Sequence, residues 1–282
     1  MRDVLQPHGI VPKVDSQHMS LNSDNGHTNR KTLVTGGAGF IGSHLVERLL
    51  SVGNQVVILD NFNDFYDPAF KRTNIERLLF GGNGSSLKVV EGDIRDANLV
   101  NDLFEANEFE EVFHLAAMAG VRPSLKNPKL YFDVNVQGTI TLLDAAVAFG
   151  KPEIIFASSS SVYGGSPDVP FTENDPVNQP VSPYAASKKS AELICHTYSH
   201  LHGLNTVCLR FFTVYGPRQR PEMAITVLRD ESSTASRCQC MEMVRHRATI
   251  PSLTILLMER WLLRANARDF RFTILATITP FL

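Results

Sequence analysis

The sequence predicts an α/β protein built on a doubly wound parallel sheet with helices on both faces. Short β-branched runs alternate with helix-periodic segments about six times along the chain, the pattern of repeated strand-helix crossovers. The runs are apolar almost throughout, as strands buried on both sides are. A glycine triplet, Gly36, Gly39 and Gly42, falls where the first strand gives way to the first helix.

Taken in order, KTLVT reads as the first strand and SHLVERLLS as the helix behind it. NQVVILD is the second strand, with a helix expected after Pro68. LKVVEGD and EEVFHLAA are strands separated by the helix NLVNDLFEA, and a further helix precedes Gly150. PEIIFASSS is the fifth strand, PYAASKKSAELICHTYSHL the longest helix, and NTVCLRFF the sixth strand. Right-handed crossovers wind these units into one sheet, whose ligands sit beyond the carboxyl ends of the strands.

Composition sets the limits. The chain has 282 residues, a formal net charge of -2 and 20% charged residues, so bulk charge gives no reason to expect nucleic acid or an anionic membrane as partner. Cys195, Cys208, Cys238 and Cys240 form neither a disulfide framework for a chain this long nor a CxxC zinc pair, and no metal is expected. That usage suits a reducing, cytoplasmic compartment. Residues 1–30 are polar, lack an apolar segment and read as a disordered leader. The apolar run SLTILLM is too short to span a bilayer.

In a doubly wound sheet the first turn needs glycine for tightness, for approach of a pyrophosphate to the backbone and for helix packing, while the helix amides face the phosphates. TGGAGFIG supplies this, although an ordinary glycine-rich turn would have the same composition. Asp60 ends the second strand 18 residues after Gly42, close to the spacing of a carboxylate that accepts both ribose hydroxyls and repels a 2′-phosphate. NAD is therefore favoured over NADP. Asp93 in EGDIRD either lies over the adenine edge or caps the helix behind it. Tyr184 and Lys188 stand four apart on one helix face, so a lysine ammonium and an oxidised nicotinamide would favour the phenolate and make Tyr184 a general base. Serines at the end of the fifth strand suit a substrate hydroxyl.

Together these segments resemble the NAD-dependent epimerase/dehydratase family, the extended short-chain dehydrogenase/reductases with a Rossmann-like sheet, and within it the UDP-glucuronate and UDP-glucose 4-epimerases. The resemblance runs from about Lys31 to Ile225 through TGGAGFIG, LDNFNDFYD, GDIRD, HLAAMAGVRPS, NVQGT, SSSSVYG, YAASK and RFFTVYGPRQRPEMA. It implies NAD contacts from Gly36, Gly39, Phe40, Ile41, Gly42, Asp60, Asp93, Ile94, Leu115, Ala116, Ala117, Tyr184 and Lys188. It also implies that Tyr184 is the base, that Ser159 and Ser161 hold the sugar hydroxyl, and that His114 is structural. The implied reaction removes the proton of the sugar 4-hydroxyl while hydride passes from C4 to NAD. The 4-keto sugar then turns over and takes hydride back on its other face. The related 4,6-dehydratases carry an Asp-Glu pair where this chain has Ser160-Ser161, so no dehydration is expected. Thr213 and Arg220 match the uronate epimerases and point to a UDP-glucuronate substrate, with a solvent-facing charge as the alternative for Arg220. Relatives of this type also form homodimers.

Behind RPEMAI the resemblance stops. Pro217 to Leu282 holds no glycine in 66 residues, where average usage of about 7% predicts four or five. If synonymous codons are chosen freely and reread one nucleotide earlier, SRCQCMEMVRH becomes EPVPMYGDGSS, LTILLMERW becomes TDDIVDGAV and FTILATITPF becomes IYNLGNHHPV. These are the strings such epimerases carry there, in that order. Residues 31–225 are thus expected to form the NAD-binding domain with the catalytic residues, and residues 226–282 an out-of-frame tail that truncates the substrate domain. A truncated, inactive product that at most binds NAD is the alternative to an active epimerase.

Overall fold

A computed structural model describes residues 29–167, 170–212, 214, 216–221 and 271–275, the last by their backbone only. The proposed leader over residues 1–28 and the tail outside 271–275 fall beyond the described residues. In chain order the elements are β1 (Lys31–Thr35), α1 (Phe40–Ser51), β2 (Gln55–Asp60), α2 (Pro68–Leu78), β3 (Leu87–Glu91), α3 (Ala97–Glu105) and β4 (Glu111–His114). They continue with α4 (Val121–Lys126), α5 (Pro128–Phe132), α6 (Gly138–Ala148), β5 (Glu153–Ser159), α7 (Pro183–His202), β6 (Thr206–Phe211) and β7 (Arg271–Leu275).

The strands form one sheet in the order β3-β2-β1-β4-β5-β6-β7, every neighbouring pair parallel. Successive side chains of a strand point to opposite faces, and β1 shows what this produces. Leu33 packs into a core with Val100, Phe104, Leu142 and Cys195 on one face, while Val34 packs into another with Leu45, Leu49 and Ile75. Helices α1 and α2 therefore cover one side, and α3, α6 and α7 the other, as expected of a doubly wound sheet. The order reverses between β1 and β4, and the cleft opens at the carboxyl ends there.

Three differences from the sequence reading have physical causes. Helix α1 starts at Phe40, earlier than SHLVERLLS suggests, because Gly39 takes the extended conformation of a cap and releases the chain directly into the helix. Helices α4 and α5 were not expected: they have six and five residues, and Pro123 and Pro128 break the periodicity while serving well in a first helical turn. No strand was assigned to the tail, yet Arg271–Leu275 pairs in parallel along β6. The segment RFTIL is rich in strand-forming residues, and an unpaired edge of β6 offers it a full row of hydrogen-bonding groups.

Candidate active site

The glycine turn is dictated by contact distances. Gly36 has φ +71°, and a Cβ there would lie 2.7 Å from the Ala116 amide nitrogen; one on Gly42 would lie 2.2 Å from the Gly36 carbonyl oxygen. Neither position admits a side chain, so the turn keeps its backbone open toward the start of α1. Gly36 N donates to Leu59 O at 2.8 Å and ties the turn to β2. The three glycines, with Phe40 and Ile41, line one wall of a cleft of 440 Å³.

Asp60, 6% exposed, ends β2 at the same wall. One carboxylate oxygen accepts from Ala38 N at 3.1 Å and the other from Phe62 N at 2.9 Å. Burial pushes this carboxyl up, while Lys71 and the two amides pull it back. Lys71 is a cleft residue that the sequence reading missed. It is buried in α2, and its Nζ donates to Asn63 O and Oδ1, each at 3.0 Å. A signal was present: Lys71 shares the 71, 74, 75, 78 spacing of the buried face of α2, where a lysine needs a reason.

Asp93 and Ile94 reach the cleft from the end of β3. Hydrogen bonds from Arg95 hold the Asp93 carboxyl down to about 2, against the opposing effect of burial, and Asn61 Nδ2 donates to it at 2.9 Å. The alternative role of Asp93 as helix cap is corrected: Asp96 caps α3, accepting from Asn98 N and Leu99 N.

Leu115, Ala116 and Ala117 follow β4 along the floor of the cleft, and Ala116 N donates to Thr35 Oγ1 at 3.2 Å. His114 is fully enclosed, with Nδ1 2.8 Å from Thr35 Oγ1 and Nε2 2.9 Å from Thr139 Oγ1. Thr139 gives its own hydrogen to Asn135 O, so it accepts from His114 Nε2–H and the ring is the neutral Nε2–H tautomer. Burial, helped by the Lys188 charge, holds its pKa down to about 3. The unfolded chain takes up this proton near pH 6.5 and the folded chain does not until about pH 3. His114 therefore contributes stability above pH 6.5 that is lost as pH falls through that window. His114→Gln should show a flatter decline of Tm from about pH 6.5 to about pH 4 than the parent chain; parallel declines would exclude this role.

Tyr184 and Lys188 face the cleft from the first turns of α7, which Ser182 caps by accepting from Ala185 N. Ser159 and Ser161 meet them from the end of β5, 3.1 Å apart through their hydroxyls. Ser159 faces the Tyr184 phenol across the cleft and lowers its pKa, and Tyr131 packs its ring edge-on to Tyr184 at 6.1 Å. The electrostatics differ from the sequence reading. Burial pushes the Tyr184 phenol up, and the groups that pull it back are Ser159 and Arg220 rather than Lys188. Lys188 instead donates to Ala157 O at 2.7 Å, and burial brings its own pKa down to about 8.

Arg220 reaches the cleft, half-buried, with its guanidinium 5.4 Å from the centre of the Phe65 ring. Thr213 lies outside the described residues. Every other residue singled out from the sequence for cofactor, base or substrate lines this one cleft. Among the described residues there is no cluster of side chains suited to a metal ion.

A parallel doubly wound sheet with a glycine turn, an acid at the end of β2 and a Tyr/Lys helix beside serines on β5 defines an extended short-chain dehydrogenase/reductase. The model of the GDP-mannose 4,6 dehydratase family matches residues 33–239, and the chain belongs to that family. The match runs past Ile225, where the quoted motifs stop. UDP-glucuronate 4-epimerase 3 of Arabidopsis thaliana is 50% identical over 196 residues, covering 68% of this chain and 44% of the relative. UDP-glucuronate 4-epimerase 1 of the same plant is 51% identical over 193 residues, again covering 44% of the relative. The chain thus spans about half the length of the curated relatives it matches. UDP-glucuronic acid 4-epimerase from Bacillus cereus, solved with UDP-glucuronic acid and NAD, superposes with a TM-score of 0.66 at 37% identity over 72% of this chain and 63% of that one. UDP-N-acetylglucosamine 4-epimerase from Methanobrevibacter ruminantium gives 0.62 at 35% identity, over 70% and 59%.

Proposed function

We infer that the chain carries the cofactor and catalytic half of an NAD-dependent UDP-sugar 4-epimerase, with UDP-glucuronate as substrate. The observation behind this is the convergence of Tyr184, Ser159 and Ser161 on the cleft that also holds Gly36, Gly42 and Asp60. The cradle fits a dinucleotide: two of its glycines have no room for a Cβ, and Asp60 is fixed across the turn by two amides. When bound, NAD supplies the hydride acceptor and donor. Tyr184 takes the proton of the sugar 4-hydroxyl, which Ser159 and Ser161 hold against it. Since burial raises the phenol, its ionisation depends on positive charge arriving with the ligand as well as on Arg220. Arg220 with Thr213 receives the sugar carboxylate. Ser160-Ser161 in place of an acid pair favours epimerisation over the dehydration in the family's name.

Asp60 provides the direct test of cofactor. The parent chain should prefer NAD to NADP, and Asp60→Ala should weaken that preference by roughly 10- to 100-fold, since hydrogen bonds to a charged acceptor contribute about 1.5–3 kcal/mol. Equal binding of both by the parent chain, in a calorimetric titration, would sink the assignment.

A second reading is favoured by the tail. Residues 226–282, read as out of frame, leave a chain that binds NAD without turnover. The chain is also read as cytoplasmic, on the free buried thiols Cys195 and Cys208; among the described residues no helix is long and apolar enough to cross a membrane. A homodimer is supported by Leu125, Phe132 and Leu193, exposed apolar residues on the neighbouring helices α4, α5 and α7, and sedimentation velocity reads it directly.

A further inference from the structure

Three side chains from one stripe of α7 face three consecutive residues of β5. Tyr184, Lys188 and Glu192 are four apart and so stack along one helix face. Tyr184 faces Ser159 across the cleft, Lys188 Nζ donates to Ala157 O at 2.7 Å, and Glu192 Oε1 accepts from Ser158 Oγ at 2.6 Å. The first two rungs belong to the site described above. The third has no part in it so far.

Glu192 is 0% exposed and Arg210, on β6, 1%. The guanidinium grips the carboxylate with two bonds, Nε to Oε1 at 3.0 Å and Nη2 to Oε2 at 3.1 Å, and turns its remaining nitrogen to the Tyr163 hydroxyl at 3.1 Å. Lys189 Nζ adds a contact to Oε2 at 3.3 Å. Burying such a pair contributes little net stability, because desolvation of both charges offsets their attraction. Its use is therefore to be sought in the geometry it fixes.

We propose that Glu192, clamped by Arg210, is a positioning residue that sets the register of the base-bearing helix against the serine-bearing strand. Its consequence for catalysis rests on the function inferred above; the register itself is a property of this chain. The same placement sustains Lys188. Burial is the main influence on that ammonium, and the groups facing it are Cys195 and Glu192 on α7, Cys208 on β6 and the neutral His114 on β4. Burial pushes the Cys208 thiol up and keeps it protonated, so Glu192 is the carboxylate of the set.

Two variants of the 282-residue chain separate charge from reach. Glu192→Gln keeps the shape and removes the charge; Glu192→Asp keeps the charge and shortens the reach. The titration of Lys188 is read by NMR with isotope-labelled lysine, assigned by its loss in Lys188→Met. Its midpoint should lie near 8 in the parent chain. It should fall in Glu192→Gln, which removes one of the three groups that raise it, and stay in place in Glu192→Asp. NAD affinity should drop several-fold in Glu192→Gln at about pH 8.5 and little at about pH 6.5, where Lys188 stays charged. Glu192→Asp should weaken it at both. An unmoved Lys188 midpoint in Glu192→Gln, or parent-like NAD affinity in Glu192→Asp, would overturn the proposal. Should the parent chain bind no NAD, the functional reading fails, and the Lys188 titration alone decides the role of Glu192.

Discussion

The 282-residue chain is expected to bind NAD and yet not epimerise UDP-glucuronate at a useful rate, whereas restoring the reading frame near Ile225 should bring turnover back. The cofactor turn, Asp60, Ser159, Tyr184 and Lys188 are all in place along the cleft. Catalysis also requires the sugar C4 to be held against the reacting groups, and a misplacement of about 1 Å can cost about a hundredfold. A tail read out of frame, as inferred above, leaves the substrate domain truncated, so the expected loss exceeds that figure. A companion expectation is that limited protease digestion trims the tail and that any fragment retained by strand pairing holds Arg271–Leu275 against β6. Strong epimerase activity from this chain, with residues 226–270 resistant to protease, would mean that the tail is a genuine alternative substrate cap.

In the frame-restored protein, Tyr184→Phe should remove nearly all epimerisation while NAD stays bound. The substitution deletes one oxygen. The ring keeps its edge-on packing against Tyr131, so the wall of the cleft survives. What goes is the proton acceptor, and general acid-base catalysis of this kind contributes roughly 10²–10⁴-fold. A single-turnover assay beside an NAD titration separates the two effects; retained turnover would show that another group takes the proton. Ser159, which faces the phenol across the cleft, cannot substitute, because an ordinary serine hydroxyl does not ionise in this range.

The strands β1, β2, β4, β5 and β6 were legible because each is an apolar run buried almost throughout, and the edge strand β3 because its Val89-Val90 pair is β-branched. The same holds for the glycine turn and for Asp60, where backbone geometry demands a particular residue at a particular spacing. Other features depend on what a residue meets across space. Asp93 and Asp96 are equally good helix caps on paper, and only the position of Arg95 and Asn61 draws Asp93 away to the cleft. Tyr184 and Lys188 are adjacent on their helix, yet the lysine is claimed by Ala157 O and the phenol by Ser159. Lys71 carried a local signal in its place on the buried face of α2, but its partner Asn63 lies in a loop that no periodicity marks. The pairing of β7 depended on the free edge of β6, which no reading of the tail by itself reveals.

The reversal of strand order between β1 and β4 also governs the order in which the cleft is assembled. The contacts that join the start of β1 to β2 span 24 residues, as between Arg30 and Asn54, while Thr32 must wait for Glu111, 79 residues away, before β4 can join. Closing the longer loop costs about 1 kcal/mol more in chain entropy, and the separation of contacts in sequence is what slows folding. The folding chain is expected to complete β1 and β2 first, and with them the wall formed by the glycine turn and Asp60. The helix that brings Tyr184 arrives later, packed onto strands that depend on β4 for their place. By this ordering the glycine turn and Asp60 are expected to come together first, to be backed by Ala116 when β4 joins, and only then to meet the base carried by α7.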